Sequence, residues 1–365
     1  MKNKIILALL CVTLFCQSLT VFAENTEYDA NENYTSSDEL SKDSERTKIP
    51  IEGLDNCYIL DDGSGFYVNI VNDKNEKLKL VSSIALAIVA LVWGTTFAVI
   101  KDTLSVVQPF SLMMLRFGFS ALLLSVLYIG KIKKVKLKDI KNGSIIGIFM
   151  FLAFYFMIIS IKNTTASKVS FIIGAYVLIV PFLAWVINRK KPDRYAVIGA
   201  ILATIGLGFL TIEKEIAFNI WDIVAGCCSF FFAAHMIAIE RYGKESDPIL
   251  ITVIQFIVTA GIFIILTGYF EGFDFLILPR IKWTLGYLVV ISTVIPFAIQ
   301  TIVQRHISST STALILTLQS VFGAIFAVWY LNERMTFQME IGCVLVFIAI
   351  VTQETKWKFL TKKDW

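Results

Sequence analysis

Residues 80–100 of this chain read LVSSIALAIVALVWGTTFAVI, a stretch without a single charged side chain. A hydrocarbon core roughly 30 Å thick is crossed by a helix of about 20 apolar residues, so this stretch predicts a transmembrane helix. The whole chain has the same character. Of its 365 residues, 56% are apolar and 17% are charged, and the mean hydropathy is +0.71. These values favour a protein embedded in lipid over a water-soluble one.

Further apolar segments follow the first one at short intervals. The ten segments are 80–100, 109–130, 144–161, 169–188, 195–212, 219–239, 248–269, 284–303, 309–331 and 337–353. A helix satisfies its own backbone hydrogen bonds, so each segment can cross a bilayer. We predict an all-α integral membrane protein with ten transmembrane helices, which leave little room for a soluble catalytic domain.

The first residues of the chain resemble a secretory signal. Lys2 and Lys4 precede an apolar run at 5–16, and small residues follow at the position that a signal peptidase reads. This pattern predicts a signal-peptide-like segment over residues 1–23.

The segment 24–79 differs in composition from the rest of the chain. It holds 14 acidic and 6 basic residues and few core-forming ones, so we expect it to be mostly disordered. Apolar residues alternate only at 57–71, which predicts a short hairpin. At the other end of the chain, residues 354–365 form a basic tail.

Lysine and arginine in the loops predict the orientation of the spans. If the first span starts inside the cell, the inside loops and the tail carry 17 basic residues and the outside loops carry 7. Cytoplasmic loops retain positive charge, so the count places the C-terminus in the cytoplasm and the protein in the cell membrane. A cleaved signal would instead put the start of the first span outside, and the side on which 24–79 lies stays open.

The chain also matches itself at a fixed offset. Pro248 follows Pro109 by 139 positions, and Phe256 and Gly286 stand at the same offset from Phe117 and Gly147. An interval of that length holds five spans, and an odd number makes the second copy enter from the opposite face. We predict two inverted repeats, 80–212 and 213–353, an architecture typical of secondary transporters.

Four motifs in order carry a family resemblance. They are Val92-Trp93-Gly94-Thr95-Thr96-Phe97, Leu115-Arg116-Phe117, Pro181 and Tyr330-Leu331-Asn332-Glu333-Arg334-Met335-Thr336. With ten spans, they resemble the drug/metabolite transporter superfamily and, within it, the EamA family. The resemblance implies a ten-helix carrier with both termini cytoplasmic, commonly an exporter of amino acids or other small metabolites. The chain departs from the family at Gln319-Ser320, where a Glu-Pro pair is often found.

Polar side chains inside the spans are candidates for the transport pathway, because they are costly in hydrocarbon. Arg116 can bind a substrate carboxylate, or it can bond to backbone carbonyls or extend toward the interface. His235 can accept a proton near neutral pH, or it can simply hold a hydrogen-bond partner. Pro296 interrupts a helix and either frees a carbonyl for a ligand or kinks the helix.

Uncharged side chains complete the set of substrate-binding candidates. Three glutamines suit a zwitterionic or amide-bearing ligand, or they join helices to one another. Tyr176 offers a flat surface to an amphipathic solute, or it anchors a span end at the interface. Trp93 offers the same kind of surface but lies well inside its span, which makes it the best candidate for a cavity residue. The full set is Trp93, Thr96, Arg116, Tyr176, His235, Gln255, Gln300 and Gln319.

A secondary carrier that works by alternating access is the leading functional hypothesis. The chain lacks a G-x-x-x-x-G-K-[ST] loop for ATP-driven transport, and its two histidines without an H-E-x-x-H motif argue against an enzyme. We expect a small-molecule substrate and a lipid bilayer as partners, with no cofactor, metal or nucleic acid, and a homodimer stays open. The alternative is a membrane-embedded sensor or receptor that uses the acidic N-terminal segment.

Overall fold

The computed structural model describes residues 47–50, 58–61, 66–68, 71–164, 166–189, 191–211, 219–331 and 337–355. The predicted signal-like segment and nearly all of the basic tail lie outside these ranges. Three short antiparallel strands, in the order β1-β2-β3, precede the helices. They are β1 (Thr47–Pro50), β2 (Tyr58–Asp61) and β3 (Phe66–Val68). Ile59 pairs with Val68 across β2 and β3, which lie where the sequence predicts a hairpin.

The rest of the described chain is helical. In the first half the helices are α1 (Val71–Thr103), α2 (Pro109–Leu127), α3 (Ile129–Ile132), α4 (Leu137–Asn163), α5 (Ala166–Gly174), α6 (Tyr176–Asn188) and α7 (Arg194–Thr211). In the second half they are α8 (Ile220–Tyr242), a 3₁₀ turn (Gly243–Glu245), α9 (Pro248–Phe270), α10 (Leu278–Gly286), a π-helix (Tyr287–Val294), α11 (Ile295–Val303), α12 (Ser309–Leu316), α13 (Leu318–Leu331) and α14 (Phe337–Thr355).

Seven helical spans within the described residues are long and apolar enough to cross a membrane. They are Leu78–Thr103, Pro109–Leu127, Leu137–Asn163, Val169–Ile187, Ile220–Glu245, Pro248–Phe270 and Leu278–Val303. The helices Arg194–Leu210 and Glu340–Gln353 are apolar but shorter, and α12 and α13 cover the ninth predicted segment. The helical character of all these segments fits the prediction, while the count of ten crossings stays a prediction.

The helices of the two halves pack in a pattern that repeats at the sequence offset. Helix α2 packs against its own counterpart α9, and α7 packs against its own counterpart α14. The contact of α1 with α11 has its counterpart in the contact of α8 with α4, and that of α1 with α13 in the contact of α8 with α6. A twofold relation between the halves produces this pattern, because each helix then either contacts its own counterpart or has its contact repeated in the other half.

Glycines allow the closest helix crossings. A Cβ atom on Gly94 would lie 2.6 Å from the carbonyl oxygen of Gln319 and 2.9 Å from the amide nitrogen of Gly323, so α1 and α13 touch through their backbones. A Cβ atom on Gly206 would lie 2.9 Å from the carbonyl oxygen of Gly342, where α7 crosses α14. Small residues at such crossings let helices pack by van der Waals contact within lipid.

Hydrogen bonds tie α2 to α9 at both ends. Glu271, just after α9, accepts from the amides of Phe110 and Ser111 at 2.9 and 2.7 Å, and so caps the first turn of α2. At the other end Lys131 on α3, the short helix directly after α2, forms an ion pair at 2.7 Å with Asp247, the residue before α9. These contacts fix the position of α2, the helix that carries Arg116.

Candidate functional site

A cavity lies between the two halves of the chain. Its first-half lining residues are Trp93, Thr96, Phe97, Ile100, Arg116, Phe154, Met157, Ile173 and Tyr176. Its second-half lining residues are Phe232, Met236, Phe297, Gln300 and Gln319. The structure thus brings six of the eight predicted residues together, and it leaves His235 and Gln255 outside the lining.

The cavity is narrow in this conformation. The empty space of the cavity, including the part that is open to solvent, totals about 510 Å³. The centre of a water molecule can occupy only about 40 Å³ of it without touching protein atoms. A buried water needs about 10–15 Å³ by that measure, so the space holds roughly three waters.

The repeat offset holds at the cavity wall. Trp93 on α1 corresponds to Phe232 on α8, and Phe97 corresponds to Met236, 139 positions later in each case. All four of these side chains line the cavity. The two repeats therefore present equivalent helix faces to one shared space.

Arg116 has one edge bound to protein and one edge free. Its side chain is 1% exposed. Nε donates to the hydroxyl of Thr293 at 2.6 Å, and Nη2 donates to the carbonyl and the hydroxyl of Ser292 at 3.1 and 3.0 Å. Nη1 is buried without a hydrogen-bond partner. The guanidinium carbon also lies 5.1 Å from the ring centroid of Phe154, within the range of a cation–π contact.

Pro296 lies in the first turn of α11, the helix that follows the π-helix. Proline has no N–H, and in the i→i+5 pattern of a π-helix the carbonyl that loses its donor at position 296 is that of Ile291. The Ser292 carbonyl accepts from Nη2 of Arg116 at 3.1 Å and from Nε1 of Trp93 at 3.0 Å. Side chains of the first repeat therefore bind this carbonyl, and the provision of a carbonyl for a ligand by Pro296 stays a prediction.

The hydroxyl groups around Ser292 form a connected chain. The hydroxyls of Thr96 and Ser292 share a hydrogen bond at 2.9 Å, and Thr96 also donates to the carbonyl of Val92 at 3.0 Å. Tyr287 at the start of the π-helix shares a hydrogen bond with Thr95 at 2.6 Å. We call Trp93, Thr95, Thr96, Arg116, Tyr287, Ser292 and Thr293 the polar cluster. It joins α1 and α2 of the first repeat to the π-helix of the second.

Three buried polar atoms on the cavity wall have no hydrogen-bond partner in the described part of the chain. They are Arg116 Nη1, the hydroxyl of Tyr176 and Oε1 of Gln300. The amide nitrogen of Gln300 donates to Gln304 at 3.1 Å, so its oxygen is the group left for another donor. Buried polar groups are almost always paired in folded proteins, and unpaired ones that share a cavity mark places for ligand atoms.

His235 and Gln255 lie behind the cavity wall. Their side chains are hydrogen-bonded to each other, with 3.0 Å between Nε2 of His235 and Oε1 of Gln255. The ring of Phe297, which lines the cavity, packs edge-on against His235 with 5.9 Å between centroids. His235 therefore has the hydrogen-bond partner that the second sequence-level interpretation expects.

The cavity wall carries little charge. Among the described residues that line the cavity, Arg116 alone is charged, and aromatic and aliphatic side chains form most of the wall. Within the described ranges, no three His, Cys, Asp or Glu side chains come together to hold a metal ion. The lining favours an organic solute with one negatively charged or strongly accepting group over a cation.

Ser292, Thr293 and Tyr287 are site residues that the sequence analysis missed. Serine and threonine are common in membrane helices, so their identity alone gives no signal. Which helix faces Arg116 is not visible in residue spacing, so the sequence carries no further signal for them.

Sequence and structure comparisons relate this chain to known proteins. The model of the EamA-like transporter family matches residues 81–212 and 219–352. An uncharacterized transporter of Archaeoglobus fulgidus is 32% identical over 277 residues, which are 75% of this chain and 85% of that protein. The uncharacterized transporter YyaM of Bacillus subtilis is 24% identical over 275 residues, 71% of this chain and 88% of that protein. One crystal structure with 14% identity has a TM-score of 0.65 over 77% of this chain and 99% of that chain, which shows a shared fold.

Proposed function

Because this chain belongs to the EamA-like transporter family, we propose that it exports a small carboxylate-bearing metabolite, such as an amino acid, by alternating access. The chain is a multi-pass membrane protein and a transporter homologue. Its substrate, direction and mechanism are the proposal. The family and the names of its relatives fit transport without enzymatic chemistry.

The unpaired edge of Arg116 is the observation that carries the substrate class. Nε and Nη2 of Arg116 are bonded within the polar cluster, and Nη1 is left to donate a charge-assisted hydrogen bond to a carboxylate oxygen. The oxygen of Gln300 on the opposite repeat can accept from an ammonium group of the same solute. The aromatic wall suits an apolar side chain.

The repeat pattern supports the transport mechanism. We propose ten spans arranged as two inverted five-helix repeats, with the substrate bound near the midplane where the repeats meet. Helix contacts that occur between counterparts or in matched pairs support a twofold relation, and an odd number of spans in each repeat makes that relation an inversion.

The loop charges support the orientation. We propose that the loop around Lys131–Lys141 and the C-terminal tail face the cytoplasm of a cell in whose plasma membrane the protein resides, since basic loops are retained on that side.

Transport by the full-length chain in sealed proteoliposomes tests the proposal. L-leucine and 3-methylbutylamine are matched probes, because they differ only in the carboxylate. We expect the vesicles to move radiolabelled L-leucine and to leave the amine behind. Arg116→Gln should lower leucine transport by about tenfold or more, since a hydrogen bond to a charged group contributes about 1.5–3 kcal/mol. Arg280→Gln, at an exposed arginine outside the cavity, is the control that should transport normally.

Two results would contradict the proposal in different ways. Equal movement of the amine and the amino acid, unchanged in Arg116→Gln, would refute carboxylate recognition. Sealed vesicles with folded protein that move none of a panel of amino acids would refute transport of this class and favour the sensor alternative.

A further inference from the structure

The two repeats place different residues at equivalent positions beside the cavity. Thr96 corresponds to His235, and Arg116 corresponds to Gln255, 139 positions later in each case. Trp93 and its counterpart Phe232 both line the cavity, so equivalent faces of α1 and α8 meet there. Thr96 and Arg116 also line the cavity, whereas His235, which packs against Phe297, and its hydrogen-bond partner Gln255 do not.

The side-chain amide of Gln255 has an N–H group without a hydrogen-bond acceptor. Its side chain is fully buried, its oxygen is bonded to His235, and its Nε2 has no hydrogen-bond partner. The equivalent side chain, Arg116, likewise has one bound edge and one unpaired edge. Arg116 lines the cavity, whereas Gln255 is not among the lining residues.

The inverted-repeat arrangement explains why equivalent residues of the two repeats differ in their access to the cavity. In a carrier built from inverted repeats, alternating access moves one repeat against the other around a shared site. The same movement with the roles of the two equivalent repeats exchanged would give a state that opens to the opposite face. We infer that His235 and Gln255 line the substrate cavity in the opposite state of the cycle, replacing Thr96 and Arg116 there. This inference rests on the proposed transport function and names the binding groups of its second state.

Phe297 is the side chain that must move. It separates the cavity from His235, and it also contacts Trp93 with 5.2 Å between ring centroids. Displacement of this ring would open the cavity toward His235, to which the side chain of Gln255 is hydrogen-bonded. The enlarged cavity then offers a neutral amide and an imidazole to the substrate instead of a guanidinium.

The exchange of a charged group for a neutral one predicts unequal affinities on the two faces. A carboxylate binds a guanidinium more strongly than an amide. The half-saturating concentration of L-leucine should therefore be lower on the face that opens onto Arg116 and higher on the face that opens onto Gln255.

Side-resolved transport tests the inference. Right-side-out and inside-out membrane vesicles that contain the full chain give the half-saturating concentration of L-leucine from each face. We expect Arg116→Gln to raise that concentration by about tenfold from one face, and Gln255→Leu to raise it by about tenfold from the other face only. Thr259→Val, which removes a buried hydroxyl one turn from Gln255 on the same helix, is the control that should change neither. Gln255→Asn keeps an amide and serves if the leucine variant fails to fold.

The outcomes separate the inference from the proposed function. Variants of Arg116 and Gln255 that act from the same face, or Gln255 variants that act from neither face while the wild type transports, would overturn the inference alone. Wild-type vesicles that move no leucine would overturn the proposed function and this inference with it.

Discussion

At the scale of single residues, Ser292 is the point at which the two repeats are bonded together. Its carbonyl and hydroxyl accept from Arg116, and the same carbonyl accepts from Trp93. Both donors belong to the first repeat and both line the cavity. A ligand that changes the position of Arg116 is therefore coupled directly to the π-helix of the other repeat.

Thr293→Val is expected to weaken this coupling. The Thr293 hydroxyl accepts from Nε of Arg116 at 2.6 Å and donates to the carbonyl of Leu288 at 2.7 Å. Valine leaves the buried Nε–H unsatisfied, which costs about 1–3 kcal/mol. The melting temperature in detergent should fall, and Thr293→Ser, which keeps the hydroxyl, should restore most of it.

Thr301→Val is the matched control for Thr293→Val. The Thr301 hydroxyl is equally buried but donates to the carbonyl of Phe297 in its own helix. Its loss should change the melting temperature less. Equal losses in the two variants would show that the bond to Arg116 contributes nothing of its own.

The sequence identifies the donors of this site but not their acceptors. Arg116 and Trp93 are identifiable because a charge or an indole N–H deep in an apolar span needs a partner. The partner's identity depends on which helices meet, and residue spacing on one helix does not report that. His235 and Gln255 were predicted as binding residues and lie behind the wall, because sequence gives the depth of a side chain in the membrane but not the ring that covers it.

At the scale of elements, the α1–α13 crossing explains the glycine in the Val92–Phe97 motif. Gly94 touches the backbone of α13, and Trp93 and Thr96 on either side of it reach the cavity. The motif therefore combines a close helix contact with two lining residues in a single turn. Gly199 and Gly206 have a similar role on α7, since a Cβ atom on Gly199 would lie 3.1 Å from the carbonyl oxygen of Ala349 on α14 and one on Gly206 would lie 2.9 Å from that of Gly342.

Gly94→Ala should separate α1 from α13. The added methyl group would lie 2.6 Å from the carbonyl oxygen of Gln319, and overpacking typically costs about 1–3 kcal/mol. We expect a lower melting temperature and slower transport. Gly118→Ala is the control, since a Cβ atom there meets nothing within 4 Å, and alanine is the better helix former. The account of this crossing is wrong if the two variants behave alike.

Glu271→Ala should loosen the start of α2. Gln108 provides no side-chain cap for this helix, and Glu271 supplies one from the other repeat. Loss of a helix cap costs about 0.5–2 kcal/mol, so thermal unfolding should begin earlier. Asp274→Ala removes a neighbouring carboxylate that caps only an exposed turn, and unfolding as early as in Glu271→Ala would contradict the capping role.

At the scale of the whole molecule, two copies of one helix arrangement enclose a shared cavity. The sequence predicted the helical segments and the offset well, because apolar length and repeated positions are both visible in one dimension. The spans at Arg194–Leu210 and Glu340–Gln353 fall short of the others in length. These two helices occupy equivalent positions in the two repeats and pack against each other. The sequence of either segment alone does not show this contact, which stabilises both.

The inverted orientation of the repeats is tested most directly at two equivalent loop positions. Lys136 follows α2 and α3, Phe275 follows α9 at the offset of 139, and both side chains are exposed. Single cysteines at these sites in intact cells are treated with a membrane-impermeant maleimide, with the wild-type chain as the background. We predict that Phe275→Cys is labelled from outside and that Lys136→Cys is labelled only after the cells are opened. Labelling of both positions from the same side would mean that the repeats are parallel, and the alternating-access account would fail.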